Sequence, residues 1–330
     1  WNLPLARRYY REALDLDPPY PNANLKLAIV GEWLDESQDS WRPFAERALA
    51  TKQRLSKANR LIAEGLVHLG NDDPAACGSF RAVLALDSLD FGGWYGLGQC
   101  LLTDRRLVRD AASPSGYRFL ASYTEGMAAL TRALTVVPAS HLAFGGAALQ
   151  KIAHTLVTEP DLVRLGVTPD TQVYLAFPEL RGDSTVFIPW PASEAASDRP
   201  PPATWLQAMQ AGRERLLQVT SAWLRQFPES RPALTSHALA LELARQVDGP
   251  GESALKVLER LRAAPEGATD VSLAKLHVRL LLKSGRVTAA RALAESVLAV
   301  PPTEEDDGLT HAGLAALIGR KDRAADLMAQ

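Results

Sequence analysis

The fold is decided by the stretch Ala76-Cys77-Gly78-Ser79-Phe80-Arg81-Ala82-Val83-Leu84-Ala85-Leu86-Asp87-Ser88, which is followed six residues later by Trp94-Tyr95-Gly96-Leu97-Gly98. In its first part a small residue, Ala76, precedes a large one, Phe80, by four positions. Small residues let two helices approach, and large residues fill the groove between them. The second part, Trp94-x-x-Leu97-Gly98, opens a partner helix. The stretch therefore predicts two antiparallel helices packed through these positions.

The same pattern recurs along the chain, most clearly at 6–18, 126–138 and 290–302, where a proline follows each helical segment. Proline cannot continue a helix, so it marks the end of each segment. Near the C-terminus, Gly285 and Gly319 stand 34 residues apart, at places where a turn between two helices needs left-handed backbone geometry. A period of 34 residues indicates a helical repeat array.

These residues carry a family resemblance. The skeleton around Trp94, Leu97 and Gly98 resembles the tetratricopeptide repeat (TPR) family, whose unit is a 34-residue helix–turn–helix. The resemblance implies an all-α fold, a right-handed α-solenoid of TPR-like repeats. We place its helix-rich pairs near 3–35, 41–70, 74–103, 117–157, 204–246, 252–283 and 287–330.

The segment 6–18 also resembles the C-terminal TPR regions of bacterial multidomain signalling proteins such as Ser/Thr kinases. That resemblance implies a bacterial protein with protein partners. The chain itself is expected to hold no residue that performs phosphoryl transfer. Because Trp1 falls inside a repeat, we expect the chain to be part of a larger polypeptide or assembly.

Two segments interrupt the repeat. A charged stretch near 104–116 is expected to be a solvated loop. From 158 to 203 helical periodicity is lost, and apolar residues alternate along two short runs on either side of a Gly-Asp turn. Such alternation predicts an inserted β-hairpin near 171–190, followed by a Pro-rich linker. The expected organisation is TPR-like repeats over 1–157, the insertion over 158–203, and TPR-like repeats over 204–330.

The tripeptide Arg181-Gly182-Asp183 within this insertion resembles an integrin-recognition motif. Gly-Asp is also good turn chemistry, and we interpret the tripeptide as part of the hairpin turn.

Composition and motifs argue against several function classes. The 330 residues carry a formal net charge of -2, so no general field attracts nucleic acid or an anionic membrane. No apolar run reaches about 18 residues, which predicts no membrane span. The sequence holds no Walker-type phosphate loop, kinase signature, nucleophile elbow or His-Glu-x-x-His motif. We therefore expect no enzyme activity, no cofactor and no metal.

Three histidines, His237, His277 and His311, occupy one register of the repeat and suggest a metal site. Equivalent positions on neighbouring repeats lie roughly 8–10 Å apart, whereas zinc–nitrogen bonds are about 2.0–2.1 Å long. We interpret these residues as partly buried histidines that donate to a carbonyl or to water.

The two cysteines, Cys77 and Cys100, fall at similar heights on antiparallel helices, within disulfide reach. Two buried thiols are the first expectation, and a disulfide is the alternative for an extracytoplasmic protein. The sequence leaves the compartment open.

Two stripes are candidates for partner binding. Lys275, Arg279 and Lys283 form a basic ladder at i, i+4 and i+8, which favours either an anionic contact or a solvated helix face. At the equivalent positions of an N-terminal repeat stand the apolar residues Leu25, Ile29 and Trp33. This stripe is either core or an anchor for a partner helix.

Three functions follow from these features. The first is a protein–protein interaction scaffold that binds a peptide or a protein subunit on the solenoid surface. The second is a permanent structural subunit of a larger complex, docking through the hairpin insertion. The third is a small-molecule sensor domain.

Overall fold

A computed structural model describes most of the chain, which forms two compact units, Trp1–Leu216 and Leu217–Gln330. The described residues are 3–34, 36–104, 106–112, 117–137, 142–157, 161–165, 172–178, 185–190, 203–300 and 305–329.

The first unit is built from helices that pack against their neighbours in chain order. They are α1 Leu3–Leu16, α2 Pro21–Trp33, α3 Gln38–Ala50, α4 Lys57–Leu69, α5 Ala75–Leu86, α6 Phe91–Thr103, α7 Tyr123–Val136 and α8 Leu142–Val157. The unit also holds the start of α9, Ala203–Gln226. Alternate helices also contact one another, α2 with α4, α4 with α6 and α6 with α8. This pattern of paired helices, with every second helix in one layer, is that of an all-α solenoid of TPR-like repeats.

The second unit repeats the arrangement. It holds the end of α9, then α10 Arg231–Leu243, α11 Ala254–Ala263, α12 Pro265–Ala268, α13 Val271–Lys283, α14 Val287–Leu298, α15 Glu305–Leu317 and α16 Lys321–Ala329. Contacts between α11 and α13, and between α13 and α15, continue the stacking of one repeat on the next. The outer bounds of the predicted helix-rich pairs match to within about six residues, but 252–283 also holds the short α12, and 287–330 holds three helices instead of two.

Helix ends follow local chemistry. The carboxylate of Asp90 accepts a hydrogen bond from the Gly93 amide at 2.7 Å and caps α6. Asp270 caps α13 in the same way, with Leu273 as the donor. Gly285 and Gly319 adopt φ angles of +79° and +82°, as the sequence predicted for these turns.

Helix packing in the first unit depends on glycines that face large side chains. The Phe80 ring of α5 lies against Gly65 of α4 and Gly96 of α6, where a Cβ atom at Gly65 would stand 2.7 Å from the ring. Likewise, a Cβ at Gly98 would stand 2.6 Å from Cγ of Leu130 on α7. The large residue of each repeat thus occupies the space that a neighbouring glycine leaves free.

The inserted hairpin near 171–190 is confirmed. Strands β4, Gln172–Pro178, and β5, Thr185–Trp190, pair antiparallel with Leu175 opposite Ile188. An additional strand, β3, Asp161–Leu165, pairs with the other edge of β4, so that the sheet order is β3-β4-β5. The sequence predicted β4 and β5 because apolar residues alternate along both. It did not predict β3, because the alternating pattern in that strand is too short to be recognised. Arg181-Gly182-Asp183 and the Pro-rich segment lie outside the described residues.

One strand of a second pair lies in the stretch 104–116 that was expected to be a charged loop, and the other lies just after it, at the start of the predicted helix pair 117–157. Here β1, Leu107–Arg109, and β2, Tyr117–Phe119, run antiparallel, with Val108 opposite Arg118.

Candidate functional site

The candidate site is a groove in the first unit, formed where α2, α4 and α6 lie side by side. It encloses a cavity of about 340 Å³. Its apolar surface is lined mainly by Ile29, Trp33, Ile62, Leu66, Phe91 and Tyr95, and its polar lining includes Lys26, Glu32, Asn59 and Asp90.

An aromatic cluster forms one end of the groove. The ring of Trp33 meets Phe91 edge-on at a centroid distance of 5.5 Å and meets Tyr95 at 5.9 Å. Phe91 and Tyr95 stack on each other at 5.8 Å. Such pairs hold their rings in fixed positions. Trp33 is only half-buried, so part of its ring surface faces the groove.

A buried carboxylate lies beside these rings. Glu32 is 5% exposed, and the hydroxyl of Tyr95 donates a hydrogen bond to its Oε1 at 3.3 Å. A buried carboxylate needs such partners, because losing its hydration is costly. The groove therefore combines an apolar surface with a carboxyl group held in place by a hydrogen bond.

The groove also carries a cation. Lys26 is solvent-exposed, yet protein surrounds it closely enough that burial lowers its pKa, an effect that the attraction of Asp90 opposes. A side chain on the wall of a groove can be accessible and poorly hydrated at once. Any ligand in the groove consequently meets charges of both signs.

The predicted apolar stripe divides between core and groove. Leu25 has no exposed surface and packs in the core between α2 and its neighbours, so we leave it out of the binding surface. Ile29 and Trp33 pack against the same core but also line the groove.

The basic ladder contains an internal ion-pair cluster. Arg279 and Lys283 both bind the nearly buried Glu242 of α10, each at 2.6 Å and each to a different carboxylate oxygen. Lys275 extends over α15 instead, where a Cβ added to Gly313 would stand 2.6 Å from its ammonium nitrogen. Two of the three cations therefore hold α13 to α10.

Two of the three in-register histidines, His237 and His277, contact side chains of neighbouring helices or loops. His237 is 1% exposed and lies between the Thr220 hydroxyl, at 3.1 Å, and the Glu252 carboxylate, at 3.2 Å. Arg262 lies 3.3 Å from Nδ1 of His277. Within the described part of the chain, no three His, Cys, Asp or Glu residues are grouped to hold a metal ion.

His277 gives a pH-dependent prediction. Burial, followed by the charges of Arg262 and Arg286, lowers its pKa from 6.5 to about 4. The unfolded chain therefore binds a proton between pH 6.5 and 4 that the folded chain does not, and stability falls as pH falls through that window. We expect this residue to account for a loss of about 2 kcal/mol between pH 7 and pH 4, after allowance for its partial exposure.

The measurement is urea unfolding of the chain and of His277→Gln at pH 7, 6, 5 and 4. Because other groups titrate equally in both proteins, the difference between the two curves isolates His277. Parallel curves across the window would contradict the prediction.

The two cysteines form a disulfide, with Cα atoms 5.5 Å apart, so the first expectation of two thiols is wrong. Cys77 and Cys100 are 23 residues apart in sequence. In the chain-entropy description, a loop of that size stabilises the folded state by about 3 kcal/mol.

The fold and the groove together define a TPR-like α-solenoid with a ligand-sized groove. No protein-family model matches the sequence. No curated protein is significantly similar in sequence. Among solved structures, the chain is similar to a thermophilic TPR protein of Thermus thermophilus, at 16% identity over 94% of this chain and 100% of that chain, with a TM-score of 0.37.

No helix within the described ranges is both long and apolar enough to span a membrane.

Proposed function

We propose that the chain is a protein–protein interaction scaffold that binds a peptide or protein segment in the groove of α2, α4 and α6. The observation that carries the proposal is the Trp33 ring, held in place by Phe91 and Tyr95 while part of its surface lines an open cavity. Rings positioned in this way dominate binding energy at many protein interfaces.

The dimensions of the groove suit one or two large side chains. A cavity of about 340 Å³ lies at the lower end of the size range of ligand pockets. Its edge carries Leu89, which is 62% exposed. An apolar residue exposed beside a cavity of this kind extends the surface that a bound segment would cover.

The charges around the groove suggest the character of the segment. Lys26 and Asp90 lie on the groove wall, and Glu32 lies beside the aromatic rings. We propose a segment that inserts an apolar or aromatic anchor and places polar groups against Lys26 and Asp90. Complementary charges of this kind fix register and partner choice more than affinity.

The experiment is selection of binding peptides from a random displayed library, followed by fluorescence anisotropy with the selected sequence. We expect Trp33→Ala to weaken binding at least about 30-fold, a loss of about 2 kcal/mol. Ile62→Trp should weaken binding comparably, because it fills the groove while leaving Trp33 in place. Ile62 is half-exposed and lines the same cavity.

Leu16→Ala is the matched control, since Leu16 is a large apolar residue of the first unit that is 90% exposed and does not line the groove. It should bind as the unaltered chain does. If no peptide is selected, or if all three variants bind alike, the groove is not the binding surface.

We further propose that the partner belongs to a bacterial signalling assembly. This finer statement rests on the resemblance of segment 6–18 to TPR regions of such proteins.

A further inference from the structure

The disulfide joins two helices at the end where the chain does not connect them. Cys77 lies in the first turn of α5 and Cys100 in the last turn of α6, whereas the loop between these helices is at the opposite end. Both residues are buried, with 9% and 4% of their surface exposed. Reagents can therefore reach the sulfur atoms only through an opening beside them.

Such an opening exists on one side of the bond. A cavity of about 430 Å³ lies between the end of α4 and the end of α6, and Cys100 forms part of its wall. Leu69, Pro74 and Thr103 provide other parts of the lining, and Cys77 is not among the lining residues. The cavity thus adjoins the disulfide on the side of Cys100 and not on that of Cys77.

The cavity is acidic. Among the described residues its lining holds three carboxylates, those of Asp72, Asp73 and Asp104, against the single guanidinium of Arg106. Arg106 is committed to Asp104, with hydrogen bonds of 2.8 and 2.6 Å to its two oxygens. The cavity lining is therefore negative, and it stays negative even if nearby His68, which lies 2.8 Å from Asp73, is protonated.

Hydrogen bonds favour the ionised form of two of these carboxylates, Asp73 and Asp104. The Ala75 amide and then His68 lower the pKa of Asp73, and the bonds from Arg106 lower the pKa of Asp104. Asp72 accepts a hydrogen bond from the Gln38 side chain at 3.3 Å.

From this arrangement we propose that Cys100 is the entry point for thiol–disulfide exchange, and that the acidic cavity selects thiols carrying a positive charge over anionic ones. The attacking thiolate forms a bond to Sγ of Cys100 as the bond between the two cysteine sulfurs breaks. Cys77 leaves with the electron pair and takes up a proton. A second thiol then attacks the added sulfur, releases Cys100 as a thiolate and completes the two-electron reduction, with the reductant oxidised to a disulfide.

The selectivity follows from the charge of the attacking species. The nucleophile is a thiolate, which the carboxylates repel. A thiol with an ammonium group is neutral overall when its sulfur is ionised and enters freely, whereas a thiol with a carboxylate or sulfonate carries two negative charges. Clefts lined by one sign of charge change local concentrations of charged reagents by about 10-fold or more.

The experiment uses the oxidised full chain and three small monothiols of similar length, namely cysteamine, 2-mercaptoethanol and 2-mercaptoethanesulfonate. Reactions are quenched with acid, and the rate of mixed-disulfide formation and the cysteine that carries it are determined by mass spectrometry. Each rate is divided by the rate of the same thiol with 2-hydroxyethyl disulfide, which removes intrinsic reactivity. We expect the first mixed disulfide on Cys100 and a normalised cysteamine rate about 10-fold above the sulfonate rate at low salt.

Two changes should reduce this ratio, namely 0.5 M NaCl, which screens the carboxylates, and Asp72→Asn, which removes one. Asp72 has a φ of +52°, a conformation that asparagine tolerates well. Asp15→Asn, at an exposed position of α1 that does not line the cavity, should leave the ratio unchanged.

Equal normalised rates for the three thiols would overturn the proposed selectivity. A first mixed disulfide on Cys77, or two cysteines that alkylate without reductant, would overturn the proposed entry point. None of these measurements involves peptide binding, so their outcome does not depend on whether the groove of α2, α4 and α6 binds a peptide.

Discussion

Replacing Phe80 with alanine is expected to destabilise the first unit by about 4 kcal/mol, the largest effect of any single substitution considered. The ring is 1% exposed and fills the space between α4, α5 and α6. Truncating a buried phenylalanine removes its burial energy and leaves a cavity, which together cost about 3–5 kcal/mol. Urea unfolding measures the loss, and hydrogen exchange should place it in α4, α5 and α6.

The glycines that face the ring make the prediction more specific. A Cβ atom at Gly96 would stand closer to the Phe80 ring than real Cβ contacts allow. We therefore expect Gly96→Ala to be destabilising, by about 2 kcal/mol, although alanine is the better helix former by about 1 kcal/mol. In a Phe80→Leu background the same change should cost little, because the smaller side chain no longer occupies the space.

Gly78→Ala is the matched control. Gly78 lies on the same helix as Phe80, and a Cβ there meets no atom within 4 Å. We expect it to stabilise the protein by up to about 1 kcal/mol. If Gly96→Ala is as favourable as Gly78→Ala, or if its cost is the same with leucine at position 80, the ring does not pack as the structure shows.

These contacts illustrate how much of the fold was predictable from sequence. The spacing of Ala76, Phe80 and Leu84 predicted a helix whose large residue fills a groove between helices, and it does. The sequence could not show that Gly65 and Gly96 receive the ring, because a glycine inside a helical pattern does not reveal what lies opposite it.

The groove was predictable only in part. Periodicity placed Leu25, Ile29 and Trp33 on one stripe, but a stripe alone does not tell which of its residues are covered by the next repeat. The structure buries Leu25 and leaves Ile29 and Trp33 on the cavity wall. Phe91 and Tyr95 lie close to Trp94 of the repeat motif. This grouping of aromatic residues was the sequence signal that could have indicated their role in the groove.

The disulfide remained open at the level of sequence for a different reason. Similar height on antiparallel helices brings Cys77 and Cys100 within reach, but bond formation depends also on which way the side chains face and on the redox environment.

The basic ladder gives the second large prediction. Glu242 was missed from the sequence because it lies 37 residues from Arg279 and 41 from Lys283, in a helix of mostly apolar residues. Its side chain is 6% exposed, whereas those of Arg279 and Lys283 are 43% and 52% exposed. Losing the two cations should therefore cost the buried carboxylate more free energy than losing the carboxylate costs the two half-exposed cations.

The difference in exposure predicts a larger loss of stability when the two cations are removed than when the carboxylate is removed. Arg279→Met together with Lys283→Met strands a buried carboxylate without a cation, which should cost about 3 kcal/mol at pH 7. Glu242→Gln should cost only about 1 kcal/mol, because two half-exposed cations are left for water to hydrate. Urea unfolding of the full chain, with hydrogen exchange of α10 and α13, measures both.

A triple variant with Arg279→Met, Lys283→Met and Glu242→Gln tests whether the unpaired carboxylate causes the loss of stability. If the stranded charge is responsible, adding Glu242→Gln to the double variant should restore about 2 kcal/mol, because a neutral amide costs less to bury than an unpaired carboxylate. The matched control, Arg291→Met with Lys321→Met, changes the same residue types at exposed positions that form no described ion pair, and should alter stability little. A triple variant no more stable than the double would show instead that Arg279 and Lys283 stabilise the unit through packing of their side chains, and would leave both charges available to a partner.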